Sequence, residues 1–223
     1  MSSRRGVTLI ELLVAMGILA LLVVILYSVF SVSLRAWKKA DNIFKSTAIA
    51  RIVLDRMSRE ISSAIIKDDN SYYLLGIDSS NIGAKKTDSI GDEIYFIAAL
   101  NPGINAKSDL CEVGFWLDGQ ATGDSSDDVL RRFYAADGRK TSTGFFDFNF
   151  ATGTSHELSG NITDLQFTFY DSAGGDFNSW NSKTDGVPSK IEVFITVQMG
   201  MGTQATNTEY YTNSYTTTIS LLR

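Results

Sequence analysis

Glu11 is the one charged side chain among residues 7–30, a run of 24 that is otherwise almost wholly apolar. A carboxylate at hydrocarbon depth carries a desolvation cost, so it needs a partner or a purpose. Other residues that could do chemistry are sparse. His156 is the single histidine and Cys111 the single cysteine; a triad or a metal cluster would need company around them, and none is apparent. A lone cysteine also makes no internal disulfide. His156 is expected in a loop, and Cys111 on an apolar strand face as core. Two acidic loops, one with Asp124, Asp127 and Asp128 and the other with Asp171, Asp176 and Asp185, offer oxygen ligands for calcium, although neither has EF-hand spacing. The glycines around Gly200 and Gly202 do not precede a helix, so no phosphate-cradling loop is expected. Tyr72, Tyr73, Tyr210, Tyr211 and Tyr215 could form a sugar- or protein-binding surface; strand packing explains them more simply.

The elements that position these residues begin with the apolar run. As a helix, residues 7–30 would span roughly 36 Å, enough for a hydrocarbon core of about 30 Å. A secretory signal peptide would need a shorter apolar core followed by a small-x-small site. An ordinary single-pass anchor leaves Glu11 and the Gly6 junction unexplained, and its orientation is not set by charge, because Arg4 and Arg5 face Arg35, Lys38 and Lys39 across the span.

The stretch Arg5-Gly6-Val7-Thr8-Leu9-Ile10-Glu11-Leu12-Leu13-Val14-Ala15 resembles the cleavage and methylation signature of type IV prepilins and pseudopilins. The resemblance implies that a prepilin peptidase cuts between Gly6 and Val7. Val7, where Phe is the commoner residue, then receives an N-methyl group, and Glu11 places the subunit in a growing filament. Val7 and Glu11 are four residues apart, on one helix face. Glu11 could therefore meet the new amine of its own chain or that of a neighbouring subunit, either of which offsets its desolvation. The plainer alternative is that Glu11 snorkels to the headgroups.

Helical spacing continues through Leu34, Trp37, Phe44, Ile52, Val53, Met57, Ile61, Ala64 and Ile65, without Pro or Gly. The opposite face is charged, with Arg35, Lys38, Lys39, Lys45, Arg51, Asp55, Arg56, Arg59 and Glu60. One helix from Val7 to about Ile66 is expected, with its second half packed on a globular head. From there the period drops to two: Ile94, Phe96, Ala98 and Leu100; Cys111, Val113, Phe115 and Leu117; Leu165, Phe167 and Phe169; Ile191, Val193, Ile195 and Val197; and a Thr- and Tyr-rich run from Tyr211. These read as half-buried strands. The fold class is α+β, with a long N-terminal α-helix on a mostly antiparallel β-sheet head. The divisions are a leader at residues 1–6, a transmembrane or filament-core helix at 7–30, its amphipathic continuation at 31–66, and a β-rich head at 67–223.

The formal net charge is −5, without a basic cluster in the C-terminal part, so direct nucleic-acid binding is not expected. Residues 110–117 with Leu130-Arg131-Arg132, residues 161–171, the Gly-rich loop with Trp180, and residues 187–193 resemble the J-type minor pseudopilins of type II secretion and the related W-type minor pilins. The resemblance implies a non-catalytic tip subunit, held in the bacterial inner membrane by a single pass with its head in the periplasm, then incorporated into a periplasmic filament. Implied partners are the I-type and K-type tip subunits, the major pseudopilin, the prepilin peptidase and the inner-membrane assembly platform. No cofactor is implied; calcium is the one candidate, as some pseudopilins bind it. A minor pilin that primes a type IV pilus is the neighbouring reading. A membrane-tethered module that binds glycan or protein is the alternative from another class; an anchored hydrolase lacks a catalytic set.

Overall fold

A computed structural model of the chain describes residues 8–67, 74–79, 90–100, 110–119, 128–136, 153–204 and 207–221. Helix α1 (Leu9–Ser62) runs for 54 residues, roughly 80 Å at the standard rise. It stops at Ser62, short of the expected Ile66, because the chain turns to join a sheet. The Ser63 hydroxyl donates to the Glu60 carbonyl at 2.6 Å, Ala64 bridges to Ala98, and the Ile65 N–H donates to the Ile97 carbonyl at 2.7 Å.

Strands follow in the order β1 (Leu75–Ile77), β2 (Glu93–Ala99), β3 (Leu110–Asp118), β4 (Val129–Ala136), β5 (Thr154–Gly160), β6 (Ile162–Tyr170), β7 (Asp176–Phe177), β8 (Trp180–Asn181), a short α2 (Ser182–Asp185), β9 (Lys190–Gln204) and β10 (Asn207–Ser220). They form two antiparallel sheets where one was expected, ordered β5-β4-β3-β2-β1-β8 and β10-β9-β6-β7. The chain passes from the first to the second at Asn161, whose φ of 62° lies in the left-handed region that Asn tolerates.

One core joins the two sheets and the helix. Ala50, Val53, Leu54, Met57 and Ile61 of α1 meet Ile94 and Phe96 of β2, Val113, Phe115 and Leu117 of β3, Leu165, Phe167 and Phe169 of β6, and Ile191, Val193, Ile195 and Val197 of β9. The alternating strand residues thus lie where their period of two places them. β2 and β3 are buried on their second faces as well. Tyr95 and Ile97 pack with Ile77, and Trp116 packs with Phe133 and Ala135, so these strands are not half-buried as expected. Close approach here requires glycine: a Cβ on Gly114 would overlap the Tyr95 ring, and one on Gly76 the Phe169 ring.

The helical face also departs from expectation. Val53, Met57 and Ile61 enter the core, but Trp37, Phe44 and Ile52 are 77%, 75% and 69% exposed, on the side away from the head. Three polar attachments fix the helix on the strands. The Tyr215 hydroxyl lies 2.9 Å from Ser46 Oγ and 3.1 Å from Thr47 Oγ1, Asn42 Nδ2 donates to the Gly200 carbonyl at 3.4 Å, and Arg132 Nε donates to Glu60 Oε2 at 2.7 Å.

Asp92 ties sheet to sheet. Its N–H donates to the Leu165 carbonyl at 3.0 Å, while its carboxylate accepts from the Phe167 N–H at 2.8 Å and the Ser79 N–H at 3.0 Å. Burial raises the Asp92 pKa above its ordinary 3.8; the two N–H donors oppose this and neighbouring Asp78 adds to it. A raised folded-state value means that the contribution of Asp92 is fully present below pH 3.8 and is lost as pH rises through the folded value. Asp92→Asn leaves one of the two N–H donors without an acceptor, at a cost of about 1–3 kcal/mol. In denaturant unfolding monitored by tryptophan fluorescence, the deficit of the variant is expected to be widest near pH 3.8 and to narrow toward neutrality; a deficit that widens with pH contradicts the assignment.

Candidate functional site

Two of the residues singled out for processing, Gly6 and Val7, lie outside the described residues; the third, Glu11, opens the helix. Thr8 is the N-cap of α1, with extended backbone at φ −81° and ψ 150°. Its hydroxyl accepts the Glu11 N–H at 3.3 Å, and Glu11 Oε2 accepts the Thr8 N–H at 3.0 Å and the Thr8 hydroxyl at 3.2 Å. This is a reciprocal capping box, in which each residue satisfies an N–H that the helix itself leaves open. The carboxylate also sits at the positive end of the helix dipole. Glu11 therefore has a partner within its own first turn. The Thr-x-x-Glu spacing carries that signal, and a reading centred on Glu11 and the amine passes over it.

Beyond the cap, α1 is long and apolar enough to cross a membrane, and none of its most apolar 18-residue window is buried by the described residues. Leu9, Ile10, Leu13, Met16, Leu19, Leu21, Val24 and Leu26 are all more than half exposed, on every side of the helix. A stripe would dock against one surface; exposure all round suits a lipid solvent or a surrounding bundle of helices. The stalk becomes a sided helix only from Ser46 onward, where the head begins to cover it.

The calcium candidates are separated by their local roles. Asp171 Oδ1 accepts the Ala173 and Gly175 N–H groups, both at 2.8 Å, and so closes the Gly-rich turn. Asp185 Oδ2 accepts the Asn181 N–H at 2.8 Å, across α2, and its Oδ1 accepts the Thr184 hydroxyl at 2.9 Å. Asp176 lies on β7, opposite Tyr170. Among the described residues no three His, Cys, Asp or Glu side chains are placed to hold a metal ion. Asp124 and Asp127 lie outside the described residues; Asp128 is buried at the start of β4.

The remaining candidates fall into the fold. Cys111 is buried, with Sγ 3.3 Å from the Tyr134 hydroxyl oxygen and 3.6 Å from the Leu100 carbonyl oxygen. Burial, then the neighbouring thiol, pushes the Tyr134 hydroxyl well above the usual tyrosine range. Trp180 is buried against Phe169 and Phe177, its indole N–H donating to the Gly186 carbonyl at 2.9 Å. Tyr210, Tyr211 and Tyr215 lie on β10, and Tyr72 and Tyr73 lie outside the described residues. His156 is not in a loop: it sits on β5, opposite Arg132 of β4. The surrounding Thr-Ser-His-Glu lacks the apolar alternation that marks a strand, so pairing with β4 decides its structure.

Residues 1–27 match the family model described as the prokaryotic N-terminal methylation motif. The amino terminus carries that motif. It contains Gly6, Val7, Thr8 and Glu11, and so includes both members of the helix cap. No curated protein matches the chain. Among solved structures, a type IV-like pilin from Thermus thermophilus matches with a TM-score of 0.46 at 8% sequence identity, over 80% of this chain and 95% of that one.

The cap gives a local test. In the unprocessed chain in detergent micelles, Thr8→Ala is expected to speed amide exchange of the first helical turn roughly fivefold, whereas Thr8→Ser keeps the protection. Equal exchange in the two variants would show that the capping box does not hold the helix start.

Proposed function

We propose that the chain is a non-catalytic filament subunit, a minor pseudopilin at the tip of a type II secretion pseudopilus. In this reading it is made as a precursor and held in the inner membrane by α1, with its head in the periplasm. The prepilin peptidase removes residues 1–6, Val7 is methylated, and the assembly platform lifts the subunit into a periplasmic filament beside the I-type, K-type and major pseudopilins. Work on cargo comes from assembly driven elsewhere.

The observation that carries the reading is the N-terminal methylation motif running without a break into a helix whose first half is apolar on every side. A tether needs that length, but it does not need the peptidase signature or an acid at Glu11. Chemically, cleavage would place an ammonium group next to the capping box, and Glu11 could pair with it or with that of a neighbouring helix in a bundle that excludes water. The choice of secretion pseudopilus over surface pilus rests on the head motifs of residues 110–117 and 161–171.

Glu11→Ala tests the reading against a simple tether. The variant is expected to insert in the membrane at the normal level, yet to form cross-links with filament partners roughly tenfold or more below the parent, because one side of a desolvated pair is gone. Cross-linking and secretion at parental levels would leave only a tethered sheet domain.

A further inference from the structure

We infer that the groove between the end of α1 and strands β4 and β5 is a binding site for a carboxylate. Its floor is a shared acid. Glu60, 8% exposed, accepts Arg132 Nε at 2.7 Å through Oε2 and Arg56 Nε at 3.1 Å through Oε1. One carboxylate thus engages two guanidinium groups, each by Nε. Among the described residues, the terminal amino groups of both arginines make no further hydrogen bond.

Arg132 makes the site unusual. The residue is 6% exposed, and its outer N–H fork, which has no acceptor among the described residues, is left accessible to the groove. The guanidinium lies 4.8 Å above the Tyr134 ring, which holds it flat. Its neighbour across the strands is His156, and Leu100 and Leu158 supply apolar walls. The cavity measures about 670 Å³, within the range of small-ligand sites.

The charge count selects the ligand. Two arginines against Glu60 leave one positive charge on the floor, and Glu157 lies at the exposed rim. A planar monoanion fits both that surplus and the fork geometry of a guanidinium. A phosphate or sulfate dianion would exceed the single surplus charge of the floor. This site needs neither Glu11 nor the filament, so it stands or falls apart from the proposed function.

His156 supplies the reporter, since the chain has no other histidine. Full-length protein in detergent micelles, with its histidine ring isotope-labelled, would be titrated by NMR with sodium glucuronate, with acetyl-glycyl-glutamyl-glycine amide, and with sodium sulfate at matched ionic strength. The expected result is a saturable shift of the His156 ring signal with at least one carboxylate. Arg56→Ala should weaken it about tenfold, the effect of losing a charge-assisted donor. Arg59→Ala, which removes an exposed pair with Asp55 outside the groove, should leave it unchanged. Saturation by glucuronate alone identifies a sugar acid; saturation by the peptide alone identifies an acidic protein segment. No saturable shift with either carboxylate, a sulfate response as strong, or equal weakening by Arg59→Ala overturns the assignment.

Discussion

The apolar half of α1 is left unburied by the described residues of its own chain, and the rest of the molecule follows from that constraint. Each large apolar side chain left in water forgoes about 1.5–3 kcal/mol of burial. A folded domain has only about 5–15 kcal/mol of net stability. A row running from Leu9 to Phe30, exposed around the whole helix, therefore outweighs anything the head can supply. The segment needs another solvent or other helices, and either one sets the terms for Glu11. In the full chain the carboxylate is held by Thr8 in a capping box. Under the proposed function, cleavage sets an ammonium group beside it, and the pair becomes compatible with a dry environment.

The head answers the second demand, which is to grip a helix firmly by one end. Apolar contact does most of this, through Ala50, Val53, Leu54, Met57 and Ile61. Polar contacts fix rotation and register. Tyr215 reaches Ser46 and Thr47 on one side, and Arg132 reaches Glu60 on the other, so the helix is fastened to β10 and to β4 at once. A buried ion pair of this kind adds little net stability over an apolar substitute, because desolvation offsets its attraction. What Glu60 and Arg132 contribute is position: a rotated α1 would strand both charges. Asp92 plays the same part between the sheets, with its carboxylate shared by Ser79 and Phe167.

Period and composition made the long helix and the inward residues of β2, β3, β6 and β9 legible, because burial on one face imposes a fixed spacing. Spacing does not say which face is buried, and Trp37, Phe44 and Ile52 fit a helical repeat while pointing away from the head. Nor does alternation reveal how strands are grouped. The division into two sheets rests on Asn161 and on the Asp92 clasp, neither of which leaves a repeating pattern. β5 escaped because Ser155, His156 and Glu157 are poor strand formers held by their partners on β4. The same misplacement of His156 hid the Arg132 groove, whose members come from residues 56–60, 100, 132–134 and 156–158 and meet only in the fold. At the N-terminus the sequence was most informative, since Gly6, Val7 and Glu11 are a contiguous motif and need no tertiary structure to be read.

The filament-subunit reading turns on whether an ammonium group is created beside Glu11. Mass spectrometry of the native N-terminus, on protein taken from a host with a working processing enzyme, asks this directly. The expected species has lost residues 1–6 and carries one methyl group on the amine of Val7. A mature chain that still begins with its six-residue leader would contradict the filament-subunit reading and leave a sheet domain on a membrane tether.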